Sequence, residues 1–262
     1  MPRNFWDIVN RVIHEADVIL LLLDSRLIDE TRNPEVESKV RAAKKPLIYV
    51  MTKCDLVDKR KLEKVNLKPS VFISAKEYLG TTKLRERIII EGKKVFKTKH
   101  VLKVAVLGYP NVGKSSLINA LKGKSSAPVS SISGFTKGLQ KIKADNRIMF
   151  LDTPGVIPYM EKDSNKHALI GTVDFNRVKN PDLAIMDLME KCPGVIESHY
   201  GVEVSDDFDH TIELIAKKFK LIKKGAEPDI ERTSKMILKD WQTGKFSASS
   251  GKRNEWRNHN GI

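Results

Sequence analysis

Cysteine is scarce in this chain of 262 residues, which contains only Cys54 and Cys192, far apart in the sequence. Two isolated thiols exclude a framework of disulfide bonds and a cysteine-ligated zinc knuckle, and they are typical of a reducing compartment. The 6 histidines are also scattered, so no His/Cys/Asp cluster has the spacing of metal ligands. We therefore expect a cytoplasmic protein whose histidines are ordinary surface or packing residues.

Long apolar runs are missing as well. No stretch of about 18 apolar residues occurs, so no membrane-spanning helix is expected. The first residues, Met-Pro-Arg-Asn-Phe-Trp-Asp, are polar and soon acidic, which is not the pattern of a signal peptide. An apolar content of 40% supports a hydrophobic core, and the length allows one large domain or two ordinary ones.

Acidic residues are few relative to basic ones. The 47 Lys and Arg residues outnumber the 33 Asp and Glu residues, which gives a formal net charge of +14 and a pI near 9.6. The excess lies in residues 1–178, because residues 179–262 carry 14 side chains of each sign. A basic balance favours nucleic acid first and an anionic membrane second, or else a lysine-rich surface of the kind found in heat-adapted proteins. No lipidation signal is present, so no membrane partner is expected.

Strand and helix patterns alternate along residues 1–178, which predicts a mostly parallel six-stranded sheet covered by helices on both faces. The predicted strands are residues 18–24, 46–51, 71–74, 101–107, 137–144 and 147–151, with helices at 5–14, 81–97 and 115–121. After residue 178 the strand patterns stop, and helical spacing appears at 208–222 and 230–241. We therefore predict an α/β domain at 1–178 and a small all-α domain at 179–262, whose basic tail from 247 onward is disordered.

Several helix boundaries have local signals. Asn33 followed by Pro34 predicts an N-cap and a first helical residue. The segment Gly-Ala-Glu-Pro-Asp at 225–229 predicts the end of one helix and the cap of the next. The acidic run at 203–209 is either a protein contact or only a helix N-terminus. Trp241 falls on a helical spacing and is interpreted as a core residue.

The stretch Gly-Tyr-Pro-Asn-Val-Gly-Lys-Ser-Ser at 108–116 has the form G-x-x-x-x-G-K-S between a predicted strand and a predicted helix. A loop without side chains at its tight points can turn backbone N–H groups around phosphate, and the helix N-terminus adds its positive dipole. Lys114 would reach the β- and γ-phosphates, and the Ser115 hydroxyl would ligate Mg²⁺. The residues predicted to bind nucleotide here are Asn111, Val112, Gly113, Lys114, Ser115 and Ser116.

A second phosphate element, Asp-Thr-Pro-Gly at 152–155, has the form D-x-x-G and follows a predicted strand. Asp152 would hold a Mg²⁺-bound water, and the Gly155 N–H would meet the γ-phosphate. Thr136, in the Ser/Gly/Pro-rich segment 125–136, can supply a second hydroxyl to the metal. The predicted metal site therefore consists of Ser115, Thr136 and, through water, Asp152.

Two further elements lie upstream of these, and each follows a predicted strand. Thr52-Lys53-Cys54-Asp55 resembles the N/T-K-x-D motif, in which the Asp55 carboxylate accepts hydrogen bonds from guanine N1–H and N2–H₂, a pattern that adenine cannot offer. Lys53 would pack its stem against the base. Ser74-Ala75-Lys76 resembles the S-A-K element, in which the Ala75 N–H reads O6. Thr52 stands where Asn is commoner, which weakens the case for guanine slightly.

Together these motifs resemble the circularly permuted Ras-like GTPases of the YlqF/YawG type, over essentially the whole chain. The two guanine elements precede the P-loop, the Thr136 element and the D-x-x-G element, giving the motif order G4-G5-G1-G2-G3. Asp24-Ser-Arg26, Arg32-Asn-Pro34 and the stretches at 224–229 and 241–245 also resemble family segments, whereas the bacterial W-F-P-G-H-M-like start is absent. The resemblance implies GTP and GDP as ligands, a role in large ribosomal subunit assembly, and the strand order 5-6-4-1-2-3.

The residue after the D-x-x-G element predicts that intrinsic hydrolysis of GTP is slow. Lys114, Thr136, Asn111 and Gly155 are the predicted catalytic residues, but Val156 stands where Ras-like enzymes place a water-orienting Gln, and valine cannot hydrogen-bond water. Asn111 either ligates a K⁺ ion in the place of an arginine finger or only shapes the turn. Stimulation by the ribosomal subunit is expected, with K⁺ as a further cofactor.

The expected partners are the large ribosomal subunit or its precursor and rRNA, bound by a monomer. The predicted RNA contacts are basic residues of the C-terminal part: Lys217, Lys218, Lys220, Lys223, Lys224, Lys252, Arg253 and Arg257. One alternative is a GTP-gated RNA or protein binding module in which hydrolysis is incidental. Another is an ATP-dependent small-molecule kinase, which Asp55 and Ala75 disfavour.

Overall fold

A computed structural model describes residues 3–95, 101–122, 140–158, 161 and 163–248. The chain divides into two compact units. The first comprises Met1–Asp55 and Lys61–Lys162, and the second comprises Leu56–Arg60 and Asp163–Ile262. The predicted domain boundary at residue 178 stays a prediction. Among the described helices, none is both long enough and apolar enough to cross a membrane.

A six-stranded sheet forms the centre of the first unit. Its strands are β1 (Val18–Asp24), β2 (Leu47–Thr52), β3 (Ser70–Phe72), β4 (Leu102–Leu107), β5 (Gln140–Lys143) and β6 (Ile148–Asp152). The spatial order is β3-β2-β1-β4-β6-β5, and every neighbouring pair is parallel except β5 and β6. Read from the opposite edge this is 5-6-4-1-2-3, so the predicted permuted topology is confirmed.

The register of the strands brings their carboxyl ends to one edge of the sheet. Asp24 at the end of β1 lies opposite Thr52 at the end of β2. On the other side of β4, Val106 lies opposite Asp152 at the end of β6. Because all four strands are parallel, the loops that follow them meet at this edge, which is where ligands bind in open α/β sheets.

The helices up to residue 122 are α1 (Arg3–Glu15), α2 (Ile28–Thr31), α3 (Pro34–Ala42), α4 (Lys59–Glu63), α5 (Thr81–Val95) and α6 (Lys114–Lys122), and all but the first two residues of α4 belong to the first unit. Buried residues of α1 and α3, among them Val12 and Val36, pack in one apolar core with Leu21 and Leu23 of β1. The predicted cap of α3 is confirmed, since the Asn33 side chain accepts a hydrogen bond from the Val36 N–H at 3.1 Å.

The described part of the second unit is helical and contains no strand beyond an isolated bridge between Ile222 and Pro228. Its helices after residue 163 are α7 (Ser164–Leu169), α8 (Pro181–Lys191), α9 (Val195–Tyr200), α10 (Phe208–Lys218) and α11 (Ile230–Gln242). Trp241 is fully buried, and its indole N–H donates to the Leu169 carbonyl at 2.9 Å, which confirms it as a core residue.

The end of α10 corrects one expectation. The apolar spacing predicted a helix to residue 222, but α10 ends at Lys218, and Phe219 and Ile222 remain 46% and 38% exposed. The chain turns away at Lys220, whose φ is 56°, and forms the bridge to Pro228 instead. Asp229 then caps α11 as predicted, by accepting from the Arg232 N–H. Similarly, Asp207 caps α10, so the acidic run at 203–209 includes a helix N-terminus.

Candidate functional site

The loop at 108–116 joins β4 to α6 and makes a tight turn. Gly108, Asn111 and Gly113 have φ values of 149°, 61° and 102°. A Cβ on Gly108 would lie 2.8 Å from the Leu22 carbonyl oxygen, so the first position has no room for a side chain. Asn is one of the few other residue types that readily adopt a left-handed backbone. These conformations produce the compact turn that a phosphate cradle requires.

Lys114 is the first residue of α6 and is buried. Its ammonium donates to two carbonyl oxygens of its own loop, Gly108 O at 3.0 Å and Tyr109 O at 2.6 Å. Burial lowers the pKa of Lys114 to about 8, while the Asp152 carboxylate opposes that shift. The loop carbonyls thus fix the direction of this cation without help from a ligand.

The D-x-x-G segment packs directly on the phosphate loop. Asp152 is buried at the end of β6, and the Val156 N–H donates to Gly108 O at 2.9 Å. A Cβ placed on Gly155 would lie only 2.4 Å from the Pro110 nitrogen. The Val156 side chain lies in the core of the first unit, where it cannot orient a water molecule for attack.

The guanine-type motif after β2 is tied to the phosphate loop through Thr52. Its buried hydroxyl lies 2.6 Å from the Val112 carbonyl oxygen and 3.0 Å from that of Leu23. A hydroxyl has a single proton, so it can donate to one of these carbonyls at a time. Comparison with the commoner Asn therefore underestimated the role of Thr52, whose hydroxyl links the guanine-type loop to the phosphate loop.

Replacing Thr52 by Val should lower the affinity for GDP, the ligand predicted from the sequence, about tenfold, because leaving a buried carbonyl without its donor costs about 1–3 kcal/mol. Thr52→Ser keeps the hydroxyl and serves as the matched control, with affinity close to that of the wild type. Titration of a fluorescent GDP analogue measures both. Equal affinity for the valine and serine variants would show that the link does not matter for binding.

The two guanine-type loops are also joined to each other. The Cys54 N–H donates to the Ile73 carbonyl at 3.1 Å, and this bond places the segment of Asp55 beside that of Ser74. Ser74 is buried and accepts from the Glu77 N–H, which holds the turn that carries Ala75 and Lys76. Asp55 is partly exposed, as a carboxylate that reads a ligand must be.

The residues predicted to hold Mg²⁺ include two that the structure describes. The Ser115 hydroxyl group is on the first turn of α6, which follows β4. Asp152 is the last residue of β6, the strand that lies beside β4 in the sheet. A hydroxyl and a carboxylate are hard oxygen donors of the kind that Mg²⁺ prefers, so this donor set fits the metal. Thr136 lies outside the described residues. No cluster of three or more His, Cys, Asp or Glu residues with metal-binding geometry occurs among those described.

Five of the predicted RNA-binding residues are described, and all five are exposed. Lys217 pairs with Glu213 at 3.5 Å, and the Lys218 ammonium donates to the Gly201 carbonyl at 2.7 Å. Lys220, Lys223 and Lys224 lie on the turn between α10 and α11. Lys252, Arg253 and Arg257 lie outside the described residues.

Sequence reasoning assigned no role to two contacts near the loops. The Asp24 carboxylate, at the end of β1, binds both Arg26 and Lys53. The Tyr109 hydroxyl, within the phosphate loop, donates to Glu161 at 2.7 Å. Two signals pointed to the first: Asp24 ends the otherwise apolar strand Val-Ile-Leu-Leu-Leu-Leu-Asp, and Asp24-Ser-Arg26 resembles a family segment.

Comparison with known proteins relates this site to GTPases. Residues 103–213 match the family model described as 50S ribosome-binding GTPase. The chain is 40% identical over 247 residues to a GTP-binding protein of Methanocaldococcus jannaschii, covering 92% of this chain and 65% of that protein. It is 34% identical over 255 residues to nucleolar GTP-binding protein 2 of Neurospora crassa, covering 93% of this chain and 41% of that protein. The chain thus spans less than two thirds of these relatives.

Two solved structures share the fold. YlqF from T. maritima in its GNP-bound form superposes with a TM-score of 0.66 at 22% identity, covering 96% of this chain and 99% of that one. Its GDP-bound form gives a TM-score of 0.63 at 23% identity, covering 93% and 98%. The likeness extends over nearly the whole of both chains, so the permuted order of elements is common to them.

Proposed function

We propose that this chain is a circularly permuted Ras-like GTPase, and that it binds GTP and hydrolyses it slowly, as a switch in the assembly of the large ribosomal subunit. One observation carries the proposal: the phosphate loop, the D-x-x-G segment and both guanine-type loops meet at one edge of the sheet. Thr52 binds the phosphate loop, and Cys54 binds the Ser74 loop, so the elements are linked by hydrogen bonds.

The choice of guanine over adenine rests on Asp55. Its carboxylate would accept from N1–H and N2–H₂ of guanine, while the Ala75 N–H would donate to O6 and Ser74 and Lys76 would support that turn. Adenine has neither the N2 amino group nor an O6 acceptor, so it would leave these partly buried groups unpaired. A site built in this way rejects the wrong base strongly. The same argument disfavours the alternative function of an ATP-dependent small-molecule kinase.

In this proposal, hydrolysis depends on neutralising the negative charge of the phosphates and on positioning the reacting groups. Lys114 would bind the β- and γ-phosphates, the amides of Val112, Gly113 and Ser116 would surround them, and the Gly155 N–H would meet the γ-phosphate. Mg²⁺, when bound by Ser115, Thr136 and, through water, Asp152, would neutralise charge on the phosphate oxygens. With Val156 in the core, none of these groups orients the attacking water, and this supports a slow intrinsic rate.

Asn111 is the proposed ligand of a K⁺ ion. It is exposed in the phosphate loop and has a left-handed backbone, with a φ of 61°. A cation there could take the place of an arginine finger, a contribution worth about 10³–10⁵ in rate. If Asn111 only shapes the turn, exchange of K⁺ for Na⁺ would leave turnover unchanged.

We also propose the large ribosomal subunit or its precursor as the partner, with rRNA as the contacted component. The support is chemical: Lys217, Lys220, Lys223 and Lys224 are exposed at or next to one turn, and lysines of this kind contact phosphate without reading sequence. The matched family model is described as 50S ribosome-binding. A monomeric state and a cytoplasmic location complete the proposal.

The buried position of Val156 is equally compatible with a second function. The chain could be a GTP-gated RNA or protein binding module in which hydrolysis is incidental. Both functions require guanine nucleotide binding, and both are compatible with a slow intrinsic rate. They differ in whether the partner accelerates turnover.

Turnover of GTP in K⁺ buffer, with and without purified large ribosomal subunits, tests the proposal. We expect stimulation of about tenfold or more, since contacts completed by a partner can supply up to 10⁵ in rate. A variant with Lys220, Lys223 and Lys224 changed to Glu should keep the basal rate and lose the stimulation. Intact GTP binding without stimulation would favour the binding module instead.

A further inference from the structure

A carboxylate is buried between the phosphate loop strand and the guanine-type motif. Asp24 is 1% exposed and accepts four hydrogen bonds. Its Oδ1 accepts from the backbone N–H and the Nε of Arg26, both at 3.0 Å, and its Oδ2 accepts from Arg26 Nη2 and Lys53 Nζ, both at 2.8 Å. Two cations from two different strand ends therefore share one carboxylate.

Lys53 is not needed to neutralise the charge of Asp24. Arg26 alone binds both carboxylate oxygens, and its side chain is only 1% exposed, so the two form a complete bidentate pair. Burial alone would raise the pKa of Asp24, but Arg26 and Lys53 outweigh it and hold that pKa well below its usual range. Since Arg26 already satisfies the carboxylate, the contact with Lys53 serves another purpose.

Lys53 reaches Asp24 from an unfavourable backbone. Its φ is 56°, in the left-handed region that a lysine rarely occupies. A surface lysine would relax this conformation and point its ammonium to solvent. Here the ammonium is held at 2.8 Å from Asp24, while Thr52 on one side binds the phosphate loop and Asp55 lies two residues along the chain. The lysine stem is therefore fixed at both ends.

We propose that Asp24 is a positioning residue for nucleotide binding: it anchors the Lys53 ammonium so that the lysine stem forms a preorganised surface for the base beside Asp55. Arg26 in turn fixes the Asp24 carboxylate. The inference rests on the proposed guanine-nucleotide site and names a residue that acts there through another. A lysine held in place before binding loses less side-chain freedom when the base arrives, and this is the source of the affinity.

The test is a cycle of variants measured by titration with the fluorescent analogue N-methylanthraniloyl-GDP, below the melting temperature of every variant. Asp24→Asn is expected to lower the affinity about tenfold, and Lys53→Met, which keeps an apolar stem but removes the anchor, by a similar factor. The double variant should bind no more weakly than Lys53→Met alone, since neighbours in one network are not additive. Lys53→Arg should retain most of the wild-type affinity, because the arginine can still pair with Asp24.

Glu37→Gln is the matched control. Glu37 is another buried carboxylate of the first unit, and it is bound by Arg32 and Tyr49 and not by Lys53. It should lower the melting temperature without changing the affinity for the GDP analogue. If Asp24→Asn behaves as Glu37→Gln does, or weakens binding equally with and without Lys53, Asp24 is merely structural and the inference is overturned.

The outcomes also separate this inference from the proposed function. If Asp24→Asn does not fold, Lys53→Met decides, because wild-type affinity in that variant overturns the inference. If the wild-type chain binds no GDP analogue, or ATP displaces it as well as GTP does, the proposed function fails and the inference fails with it. If the wild type binds guanine nucleotide selectively and the Asp24 and Lys53 variants do too, only the inference fails.

Discussion

Replacing Asp55 by Asn is expected to change the preferred nucleotide from GTP to XTP. The carboxylate accepts two hydrogen bonds from guanine, whereas the amide of Asn offers one acceptor and one donor. Guanine would then present its N2 amino group to another donor, while xanthine presents an oxygen in its place. Because such a mismatch leaves partly buried polar groups unpaired, the affinity for GTP should fall about 10⁴-fold.

The substitution of Asp55 should leave the backbone of the motif in place. The backbone of the motif is held by the bond from Cys54 to Ile73, which the change at Asp55 leaves untouched. Asp58→Asn is the matched control: its carboxylate accepts from the Arg60 N–H in the next turn, and its loss should not affect the choice of base. Competition of GTP, XTP and ATP against a labelled nucleotide measures the preference. Undiminished GTP binding by Asp55→Asn would remove this residue from base recognition.

Much of the fold could be predicted because the motifs and the sheet constrain each other. Each nucleotide motif follows an apolar strand, and a parallel sheet brings the carboxyl ends of its strands together. The resemblance to Ras-like GTPases supplied the sheet order, because keeping their sheet with two guanine motifs before the phosphate loop implies 5-6-4-1-2-3. The strand at Val18–Asp24 was predicted to the residue, because all 7 of its residues are buried and Asp24 marks its end.

Other features depend on contacts between distant residues and have no local signal. Helical spacing continued through Phe219 and Ile222, yet the chain leaves the helix, since the turn to Pro228 and the cap at Asp229 replace its last turn. Likewise, Thr52 differs from the commoner Asn in sequence but makes the link to Val112 across 60 positions. The pairing of Asp24 with Lys53 needed the sheet register to bring the two strand ends together.

Gly155→Ala should have the largest effect on hydrolysis. An added Cβ would lie 2.4 Å from the Pro110 nitrogen and 2.6 Å from the Pro110 Cα, and both of these are backbone atoms. The D-x-x-G segment and the phosphate loop must therefore separate, which also breaks the bond from the Val156 N–H to Gly108 O. The Gly155 N–H would lose its place against the γ-phosphate, and loss of one such donor costs about 10²–10³ in rate.

Single-turnover measurement of GTP hydrolysis, beside the affinity for GDP, separates this effect from general damage. GDP lacks the γ-phosphate, so its affinity should change far less than the rate does. Gly194→Ala is the matched control, because that glycine has a φ of 72° but nothing within 4 Å of an added Cβ. It imposes backbone strain without a clash, and turnover should stay near the wild-type value. Wild-type hydrolysis in Gly155→Ala would mean that the close contact with Pro110 is not needed for the reaction, and that the γ-phosphate is sensed elsewhere in the loop.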